Sequence, residues 1–355
     1  MEHIAAIQAA LPGAGLDALV LLSPHNRRYA TGFASSDGGV VVTRGGAWFF
    51  TDSRYIEAAG AAVHGAQVEL VDRARPMRAR IRAVLDAEGA KTVGAEERWL
   101  SHAAWQRLCE STGRTLLPGQ DVPDTLRQSK DDGELAALRA AQRITDETFS
   151  EMLNILRPGM TEQEAAAELV YRMLRRGAER VSFDPIVVSG ERSSMPHGVP
   201  GQRALRDGDF VTMDFGCVYQ GYCSDMTRTV AIGHATDEMQ QVYHTVLAAQ
   251  KAGIAAAKPG VTGRAVHEAA AAVLDAAGLG EYFGHGFGHG VGLEIHESPN
   301  ASPANETPMP ERAVISAEPG VYLPGRFGVR IEDVIVLRPE GAEDLTGSPK
   351  QLLVL

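Results

Sequence analysis

The pattern of apolar and polar positions divides the chain near residue 124. Before this point, short runs rich in valine, leucine and phenylalanine alternate with segments whose apolar residues follow helical spacing. The runs predict strands at Leu16–Leu22, Val40–Thr43, Ala47–Thr51, Gln67–Val71 and Thr92–Ala95, and the segments predict helices at Arg54–Val63, Met77–Glu88 and Ala103–Glu110. Strands that alternate with helices are typical of an α/β layer domain, which we expect over residues 1–124.

The stretch Leu117–Asp124 is rich in proline, glycine and aspartate, a composition that predicts a linker. A long segment with helical spacing of its apolar residues begins after it, at Asp131 or Asp132. We therefore expect a second domain over residues 125–355.

The second domain contains an internal repeat. Arg-Pro-Gly-Met-Thr at 157–161 recurs as Lys-Pro-Gly-Val-Thr at 258–262, and each copy follows a helical segment. Each threonine is a suitable N-cap for the alanine-rich helix that follows, and Gly177 and Gly278 stand where a helix-ending glycine is expected. The repeat predicts a duplicated α-α-β-β unit, in which two helix pairs lie behind one curved, mostly antiparallel sheet.

A first pair of acids lies in the run FVTMDFGCVYQGYCSDMTRT at 210–229. Asp214 and Asp225 stand on either side of the turn residues Gln220-Gly221, and we expect them to oppose each other across a hairpin. This register also places Thr212 opposite Thr227 and brings methionines together on the other face. The hairpin therefore predicts one polar face around the two acids.

A second pair of acids, Glu318 and Glu332, is centred on Gly325, and His289 stands between the two pairs in the sequence. Opposed side chains in a hairpin have Cβ atoms about 4.5–5.5 Å apart, a distance at which like charges repel each other. Two such pairs in apolar strands require a compensating positive charge. Four carboxylates and one imidazole can hold two divalent ions about 3.5–4 Å apart. The pattern therefore predicts a dinuclear metal site.

Composition narrows the class of partner. The 355 residues carry a formal net charge of −11, which argues against nucleic acid or an anionic membrane as a partner. No apolar run approaches the roughly 18 residues of a membrane span, and the N-terminal segment has no basic region before an apolar core. Cys109, Cys217 and Cys223 lack metal-binding spacing and indicate free thiols in a reducing compartment. Together these features predict a cytoplasmic protein.

Four runs resemble a known family closely. They are SFDPIVVSGERSSMPHG at 182–198, VTMDFGCVYQGYCSDMTRT at 211–229, HGFGHGVGLEIHESP at 285–299 and SAEPGVYLPGRFGVRIEDV at 316–334. Through them the chain resembles the pita-bread metallopeptidases, in the branch that contains prolidase (Xaa-Pro dipeptidase) and aminopeptidase P. The resemblance implies an N-terminal creatinase-like α/β domain followed by an α+β pita-bread catalytic domain.

The resemblance implies that five residues bind two divalent metal ions. Manganese or cobalt is expected to give the best turnover, and zinc is possible as a tighter-binding ion. The implied ligands are Asp214, Asp225, His289, Glu318 and Glu332. Asp225 and Glu332 bridge both ions in this assignment. Asp214 binds one ion, and His289 and Glu318 complete the other.

The resemblance further implies catalytic and substrate-binding roles. The catalytic residues are His197, His296 and Glu318, and the substrate-binding residues are His197, His285, His296 and Arg330. His197 matches a histidine that stabilises the tetrahedral intermediate or guides proton transfer. Glu318 is expected to pass a proton to the leaving nitrogen, which is strongly basic when it belongs to proline. Arg330 is the expected partner of a dipeptide carboxylate, with Arg326 as the alternative.

The implied function is hydrolysis of the Xaa-Pro peptide bond, above all in dipeptides, by a hydroxide that bridges the two ions. Xaa-Pro aminopeptidase activity on longer peptides is the alternative within the family, and non-enzymatic peptide binding is the alternative of a different class. Methionine aminopeptidases usually lack such an N-terminal domain, and creatinase lacks the metal ligands. A homodimer is expected, in which the Gly32–Gly39 loop caps the substrate site of its own or the partner subunit.

Overall fold

The computed structural model describes residues 3–355, so the first two positions of the N-terminal segment considered above lie outside the described residues. Its contacts divide the chain into two compact units after Arg127. The helices of the first unit are α1 (His3–Ala10), α2 (Pro24–Thr31), α3 (Ile56–Ala62), α4 (Met77–Ala87), α5 (His102–Thr112) and α6 (Asp121–Arg127). Its strands are β1 (Ala18–Leu21), β2 (Gly39–Thr43), β3 (Ala47–Thr51), β4 (Gln67–Leu70), β5 (Val93–Ala95) and β6 (Leu116–Pro118), in the sheet order β4-β3-β2-β1-β5-β6.

The predicted α/β character of the first unit is confirmed. Every predicted strand and helix is present, with ends that differ by up to two residues. The linker interpretation of 117–124 is wrong, because these residues contribute to β6 and α6. Gly119 lies so close to β1 that an added Cβ would be 2.6 Å from the Leu19 side chain. The glycine therefore reflects tight packing at the sheet edge and not a flexible connection. The boundary between residues 124 and 125 stays a prediction.

The Gly32–Gly39 loop is tied to its own unit by a buried arginine. Arg27, 4% exposed, donates to the carbonyl oxygens of Leu22, Ser35 and Gly38. Gly32 has a φ of 71° and ends α2 in the left-handed conformation that glycine adopts without strain. The loop is thus held at its base, and its role as a cap over a substrate site stays a prediction.

The second unit covers residues 128–355. Its helices are α7 (Asp132–Met152), α8 (Glu162–Arg175), α9 (Asp237–Ala256) and α10 (Gly263–Ala276), with short 3₁₀ helices at Gly190–Ser194 and Gly280–Tyr282. Its strands up to residue 231 are β7 (Arg180–Val181), β8 (Ile186–Ser189), β9 (Phe210–Phe215), β10 (Cys217–Tyr219), β11 (Tyr222–Cys223) and β12 (Met226–Ala231). The later strands are β13 (Gly288–Gly290), β14 (Glu297–Ala301), β15 (Val314–Ala317), β16 (Gly320–Leu323), β17 (Phe327–Arg330), β18 (Asp333–Arg338) and β19 (Gly341–Asp344).

The predicted duplication is visible in the helix starts. Thr161 and Thr262 are N-caps whose side chains accept from backbone N–H groups three residues later. Helices α8 and α10 are each followed by a glycine with positive φ, 96° at Gly177 and 71° at Gly278. The strands pair antiparallel in the ladders β12-β9-β8 and β14-β13-β15-β18-β19. The α+β architecture with a duplicated α-α-β-β unit is therefore confirmed.

The register of the first acid hairpin differs from the prediction by two residues. Asp214 pairs with Thr227 and not with Asp225. The turn lies at Gln220-Gly221 with φ of 47° and 79°, and a two-residue turn there places Gly216 opposite Asp225. Because the shift is even, the two acids keep the same face of the ladder and lie diagonally.

The register of the second acid hairpin is confirmed. Ala317 pairs with Asp333 on one side of the acids, and Gly320 pairs with Arg330 on the other side. Both pairs are centred on Gly325, so this register aligns Glu318 with Glu332. The two glutamates themselves lie in the gaps between the strands.

Arg228 joins the strands of the two halves and the 348–349 segment. Its side chain is 1% exposed, and it donates to the backbone carbonyls of Thr227 and Glu332. It also donates to the Asp333 carboxylate at 2.7 Å and to the carbonyls of Ser348 and Pro349. The guanidinium is therefore satisfied in the interior, next to the backbone of Glu332.

Candidate metal centre and active site

A cavity of about 660 Å³ in the second unit gathers the residues that the sequence singled out. Its wall includes all nine of them, namely His197, Asp214, Asp225, His285, His289, His296, Glu318, Arg330 and Glu332. Apolar side chains form another part of the wall, among them Phe183, Ile186 and Ile295. Arg326, the alternative partner for a dipeptide carboxylate, is not part of this wall. It forms an exposed ion pair with Glu238.

Breaks in the strands place the acids at the cavity wall. Asp225 lies between β11 and β12, opposite Gly216, where any added Cβ would collide with the Ser224 carbonyl. Glu332 lies between β17 and β18, and its backbone N–H donates to the Thr227 carbonyl at 3.1 Å. The backbone of β12 in the first half is thus hydrogen-bonded to the second half at Glu332.

His289 lies among the carboxylates with its Nε2 atom towards them. This atom is 3.3 Å from Glu318 Oε1 and 3.5 Å from Asp225 Oδ2. Nδ1 is 3.2 Å from the Gly290 carbonyl, and this contact assigns the proton of the neutral ring to Nδ1. Burial lowers the pKa of His289, which favours the neutral ring. A lone pair of Nε2 therefore faces carboxylate oxygens, an arrangement that a cation would stabilise.

Three carboxylate oxygens in this cluster are buried without a hydrogen-bond partner. They are Asp214 Oδ1, Asp225 Oδ1 and Glu332 Oε1. Burial, followed by the charges of Asp214 and Glu318, raises the pKa of Asp225 well above its ordinary value. Burial and the Asp225 charge likewise raise the pKa of Glu332, and burial raises that of Glu318. The protein alone thus leaves the ionised cluster short of positive charge.

The donor set fits divalent cations. Ligand atoms of Asp225, His289 and Glu332 all lie within 4.8 Å of one another. Asp214 and Glu318 line the same cavity and bring the set to four carboxylates and one imidazole. Oxygen-rich sets of this kind suit hard or borderline divalent ions, and unpartnered buried oxygens are free to coordinate them.

Arg330 supplies part of the positive charge, and its donors are already engaged. The side chain is 4% exposed and donates to Asp214 Oδ2 at 2.6 Å. It also donates to Thr227 Oγ1 at 3.0 Å, Tyr322 Oη at 2.8 Å and the Pro196 carbonyl at 3.3 Å. Arg330 therefore orients Asp214, and a direct contact with a substrate carboxylate would require it to exchange one of these partners.

The three other predicted histidines differ in how they are held. His285 is fixed between the Gly286 carbonyl at 2.8 Å and Tyr322 Oη at 3.0 Å. The His296 ring packs edge-on against the His289 ring, with centroids 4.1 Å apart. His197 is exposed on a loop that lines the cavity. Burial lowers the pKa of both His285 and His296, which favours neutral rings.

Sequence reasoning missed the residues that support these side chains. Thr227 Oγ1 donates to Glu332 Oε2 at 2.7 Å, and Ser316 Oγ donates to Glu318 Oε1 at 2.9 Å. Tyr322 connects Arg330 with His285, as described above. Period-2 alternation was the available signal, because each of the three lies an even number of positions from an acid in its own hairpin.

Comparison with known proteins places this geometry in a family. Residues 136–339 match the profile of metallopeptidase family M24, and residues 3–129 match that of the creatinase/prolidase N-terminal domain. The chain is 36% identical over 267 residues to an Xaa-Pro dipeptidase of Pyrococcus horikoshii, which covers 75% of this chain and 76% of the relative.

Two solved structures resemble the full length of the protein. An Xaa-Pro dipeptidase from Bacillus anthracis has a TM-score of 0.96 at 38% identity, covering 100% of this chain and 99% of the other. An X-Pro aminopeptidase from Thermotoga maritima has a TM-score of 0.91 at 36% identity, covering 96% and 98%. The relatives thus include both substrate classes. With its catalytic region matched over more than half of the chain, the protein belongs to metallopeptidase family M24 and carries the creatinase/prolidase N-terminal domain.

Proposed function

We propose that the protein hydrolyses the bond between an N-terminal residue and proline, with Xaa-Pro dipeptides as the preferred substrates. The observation that carries this proposal is the cluster of four carboxylates around His289, three of which have an unpartnered buried oxygen at the wall of a 660 Å³ cavity. Membership in a metallopeptidase family supports hydrolysis and counts against simple peptide binding. Relatives named for Xaa-Pro cleavage support proline as the second residue.

We assign two divalent ions to Asp214, Asp225, His289, Glu318 and Glu332, with Asp225 and Glu332 shared between them. Manganese or cobalt is the expected activating ion, since the set contains one nitrogen and four carboxylates. Ions bound in such a set supply Lewis-acid activation of water and of the substrate carbonyl. The remaining steps depend on the side chains of the protein.

Glu318 is placed to move the proton. It lines the same cavity as the rest of the cluster, and a carboxylate at that wall can accept a proton from the attacking water and donate it to the leaving nitrogen. Ser316 Oγ holds Oε1 at 2.9 Å and leaves Oε2 for exchange. Hydrolysis of an Xaa-Pro bond needs this proton, because the departing proline nitrogen is basic.

We assign peptide binding to the histidines and an indirect, orienting role to Arg330. His197 and His296 both line the cavity wall. We assign their rings to hydrogen bonds with the carbonyl oxygen of the scissile bond. His285 is held by Tyr322 and lines the same wall. Arg330 keeps Asp214 in place and in this way positions the end of the cluster that faces a peptide amino group.

One observation favours the second candidate, an Xaa-Pro aminopeptidase that accepts longer peptides. Among the described residues of the cavity wall, Arg330 is the single lysine or arginine, and its donors already have protein partners. A dipeptide carboxylate lies one residue beyond the scissile bond and needs a cation or hydrogen-bond donors in place of water. If these come neither from Arg330 nor from a histidine, the pocket has no charge-based preference for dipeptides.

The deciding experiment compares Ala-Pro, Ala-Pro-amide and Ala-Pro-Ala by kcat/KM with manganese-loaded enzyme. Ala-Pro and its amide have the same size and differ in the terminal charge. A dipeptidase cleaves Ala-Pro at least tenfold better than both others, which corresponds to about 1.4 kcal/mol of discrimination. Equal or better cleavage of Ala-Pro-Ala replaces the dipeptidase proposal with the aminopeptidase. Absence of cleavage of all three contradicts Xaa-Pro hydrolysis itself.

A chelation series tests the metal assignment. Enzyme treated with a chelator and then dialysed is expected to lose activity on Ala-Pro and to regain it with manganese or cobalt. Zinc is expected to bind and to restore less activity, because divalent affinity and turnover follow different orders. Elemental analysis should find two ions per chain. Full activity in chelated, metal-free protein would contradict the assignment.

We also propose a cytoplasmic homodimer with the Gly32–Gly39 loop as a cap. Among residues 3–355, no helix is long and apolar enough to cross a membrane. Light scattering after size-exclusion chromatography measures the assembly state directly. Replacement of the loop residues Ser35 and Ser36 by glycine tests the cap, which predicts a change in the ratio of dipeptide to tripeptide cleavage.

A further inference from the structure

Glu162 is a charged residue with no exposed surface at the first position of α8. Its side chain is not needed to cap this helix, because Thr161 and Glu164 already form a capping box there. A buried carboxylate is stable only if hydrogen bonds replace its lost hydration. Four donors do so, and all four belong to one loop that lies far away in the sequence.

The donors come from both ends of this loop. Ser189 donates to Glu162 Oε1 through its backbone N–H at 2.8 Å and through its hydroxyl at 2.9 Å. At the other end, the Gly201 N–H donates to Oε2 at 3.1 Å. Arg192 Nε donates to the same oxygen at 3.1 Å. We call the segment 189–201 the His197 loop.

The middle of the His197 loop is held from two further sides. Arg192 donates to the Val199 carbonyl at 2.6 Å, and Arg330 donates to the Pro196 carbonyl at 3.3 Å. Gly198 packs on β8 so tightly that an added Cβ would be 2.5 Å from Val188 Cγ1. The backbone on both sides of His197 is therefore fixed, while its exposed side chain is left available at the cavity wall.

The other half of the unit shows that the fold does not require this carboxylate. Thr161 and Thr262 are equivalent N-caps, and they form equivalent isolated bridges to Ala204 and Pro308. The residue after Thr262 is Gly263, and there the neighbouring loop approaches so closely that an added Cβ would meet the Asn300 carbonyl. The second half thus packs loop backbone directly against Gly263, whereas the first half has the buried Glu162 side chain between helix and loop.

We propose that Glu162 is a positioning residue that holds the His197 loop so that His197 points over the acid cluster. The inference rests on the proposed function, in which His197 contacts the scissile carbonyl group. A catalytic hydrogen-bond donor must be held close to its productive geometry, and a loop achieves this only when its ends and middle are fixed. The hydrogen bonds of Glu162 to Ser189, Arg192 and Gly201 supply that restraint at the ends of the loop.

The first test measures the loop itself by hydrogen–deuterium exchange in the full-length, manganese-loaded protein. Glu162→Ala is expected to raise exchange across residues 189–201, and Glu162→Gln is expected to raise it less, because one amide oxygen still accepts from two donors. Arg192→Ala removes two hydrogen bonds, one to Glu162 and one to the Val199 carbonyl, and it should raise exchange near Val199. Glu164→Gln is the matched control on the same helix turn, and it should leave the loop unchanged. Unchanged exchange in Glu162→Ala would overturn the proposal.

The second test is a double-mutant cycle with His197→Ala, scored by kcat and KM on Ala-Pro. Glu162→Ala is expected to lower kcat about 10–100-fold with a small change in KM, and Glu162→Gln to lower it less, as is typical of residues that orient a catalytic group. In the His197→Ala background the same substitution should cost less than about threefold. An equal loss in both backgrounds would overturn the positioning role, because it would mean a general loss of structure.

Failure of the proposed function gives a different result. If His197→Ala keeps full activity while Glu162→Ala still raises exchange in the loop, the assignment of His197 fails and the restraint by Glu162 remains. If exchange is unchanged while His197→Ala is inactive, the role of Glu162 fails and the role of His197 remains. Thermal unfolding of each variant identifies any variant that has lost its fold.

Discussion

The two halves of the second unit share one order of helices and strands but differ in the side chains at equivalent positions. Each half runs from a long helix through a Pro-Gly turn and a threonine-capped helix into antiparallel strands that carry two acids. The first half places its acids diagonally around Gly216, and the second half aligns them in the register centred on Gly325. The first half adds a buried anion, Glu162, whereas the second half has Gly263 at the same place.

The two halves also contribute different residues to the cavity. The shared plan brings four acids to one cavity, which no single half does. The imidazole His289 comes from the second half alone, and the charge partner of Asp214 is Arg330, which also comes from the second half. The two halves therefore contribute acids to one cavity through a shared backbone plan, while His289 and Arg330 are added by the second half alone.

The largest expected effect comes from replacing one shared acid in each half. Asp225→Asn and Glu332→Gln should each lower kcat/KM on Ala-Pro by about 10³-fold or more, near 4 kcal/mol, because each removes an oxygen assigned to both ions. Metal content should fall in both variants. His296→Ala should lower kcat while metal content stays near two ions per chain.

The view that each half contributes one shared ligand is contradicted if Asp225→Asn and Glu332→Gln differ in metal content. A Glu332→Gln enzyme that keeps both ions, next to an Asp225→Asn enzyme that loses them, would mean that only the first half holds a shared ligand. Equal metal loss in all three variants would contradict the separation of ligands from His296. Elemental analysis of purified protein reads out both cases.

Much of this architecture was predictable from the residues, because its signals are local. Caps at Thr161 and Thr262, and the glycines after the helices, follow from elementary backbone preferences. The register of the first hairpin was wrong because the turn was not centred correctly between the acids. Positive φ at both Gln220 and Gly221 defines a two-residue turn, and its centre lies one residue after the midpoint of the acids.

Other features depend on contacts that no local pattern reveals. The 117–124 stretch had linker composition, yet Val122 is buried in the first unit and Gly119 is required by close packing. Helix α2 was missed, since its residues are mostly polar and its cap Ser23 lies beside the buried Glu96. Long-range hydrogen bonds, such as those of Glu162 to its loop, are set by tertiary structure and carry no sequence spacing.

The junction between the halves is expected to show the next largest effect. Arg228→Met removes the buried partner of Asp333 and the donors to Thr227 and Glu332. Breaking a buried pair from one side typically costs about 3–5 kcal/mol. Asp333 keeps its contacts with Lys350 and Gln250, so we expect a loss at the lower end of this range, about 3 kcal/mol. Urea denaturation of the metal-free protein should show this loss. Arg326→Met at the exposed hairpin tip is the control and should change stability by less than about 0.5 kcal/mol.

A third prediction concerns pH and draws on one acid from each half. The pKa values of Asp225 and Glu332 are raised in the folded, metal-free protein, so protons compete with cations for the site. Manganese affinity should therefore rise from pH 5 towards pH 8, by up to about tenfold per pH unit for each proton displaced. Calorimetry in two buffers of different ionisation enthalpy counts the protons. A pH-independent affinity would contradict the raised pKa values.

The sign of the stability change follows from the same shifts. A carboxyl group with a raised folded pKa stabilises the fold below its unfolded pKa, and this contribution is lost as pH rises through the folded pKa. Metal-free protein should thus lose stability between mildly acidic and alkaline pH. Metal-loaded protein should not, because the ions replace the protons. Thermal unfolding at pH 5.5 and pH 8, with and without chelator, makes this comparison.

The smallest effect distinguishes the two helix caps. Thr161→Ala and Thr262→Ala should each cost about 1 kcal/mol of unfolding free energy. Thr161 should cost a few tenths of a kcal/mol more, since its box partner Glu164 also loses a hydroxyl contact of 3.1 Å. Serine at either position should restore most of the loss. A larger cost at Thr262 would contradict the assignment of the capping box to the first half alone.

The contacts of Arg228 also bear on how the second unit folds. Arg228 and Pro349 are 121 positions apart, and Asp146 accepts from Ser348 across 202 positions. Closing such long loops costs entropy before any contact is gained, so we expect this docking to occur late in folding. Each half can form its own helices and hairpin from closer contacts, whereas the contacts of Arg228 with Glu332 and with residues 348–349 require distant parts of the chain. Cations bound by acids of both halves would stabilise the native state alone and would therefore shift the folding equilibrium towards it.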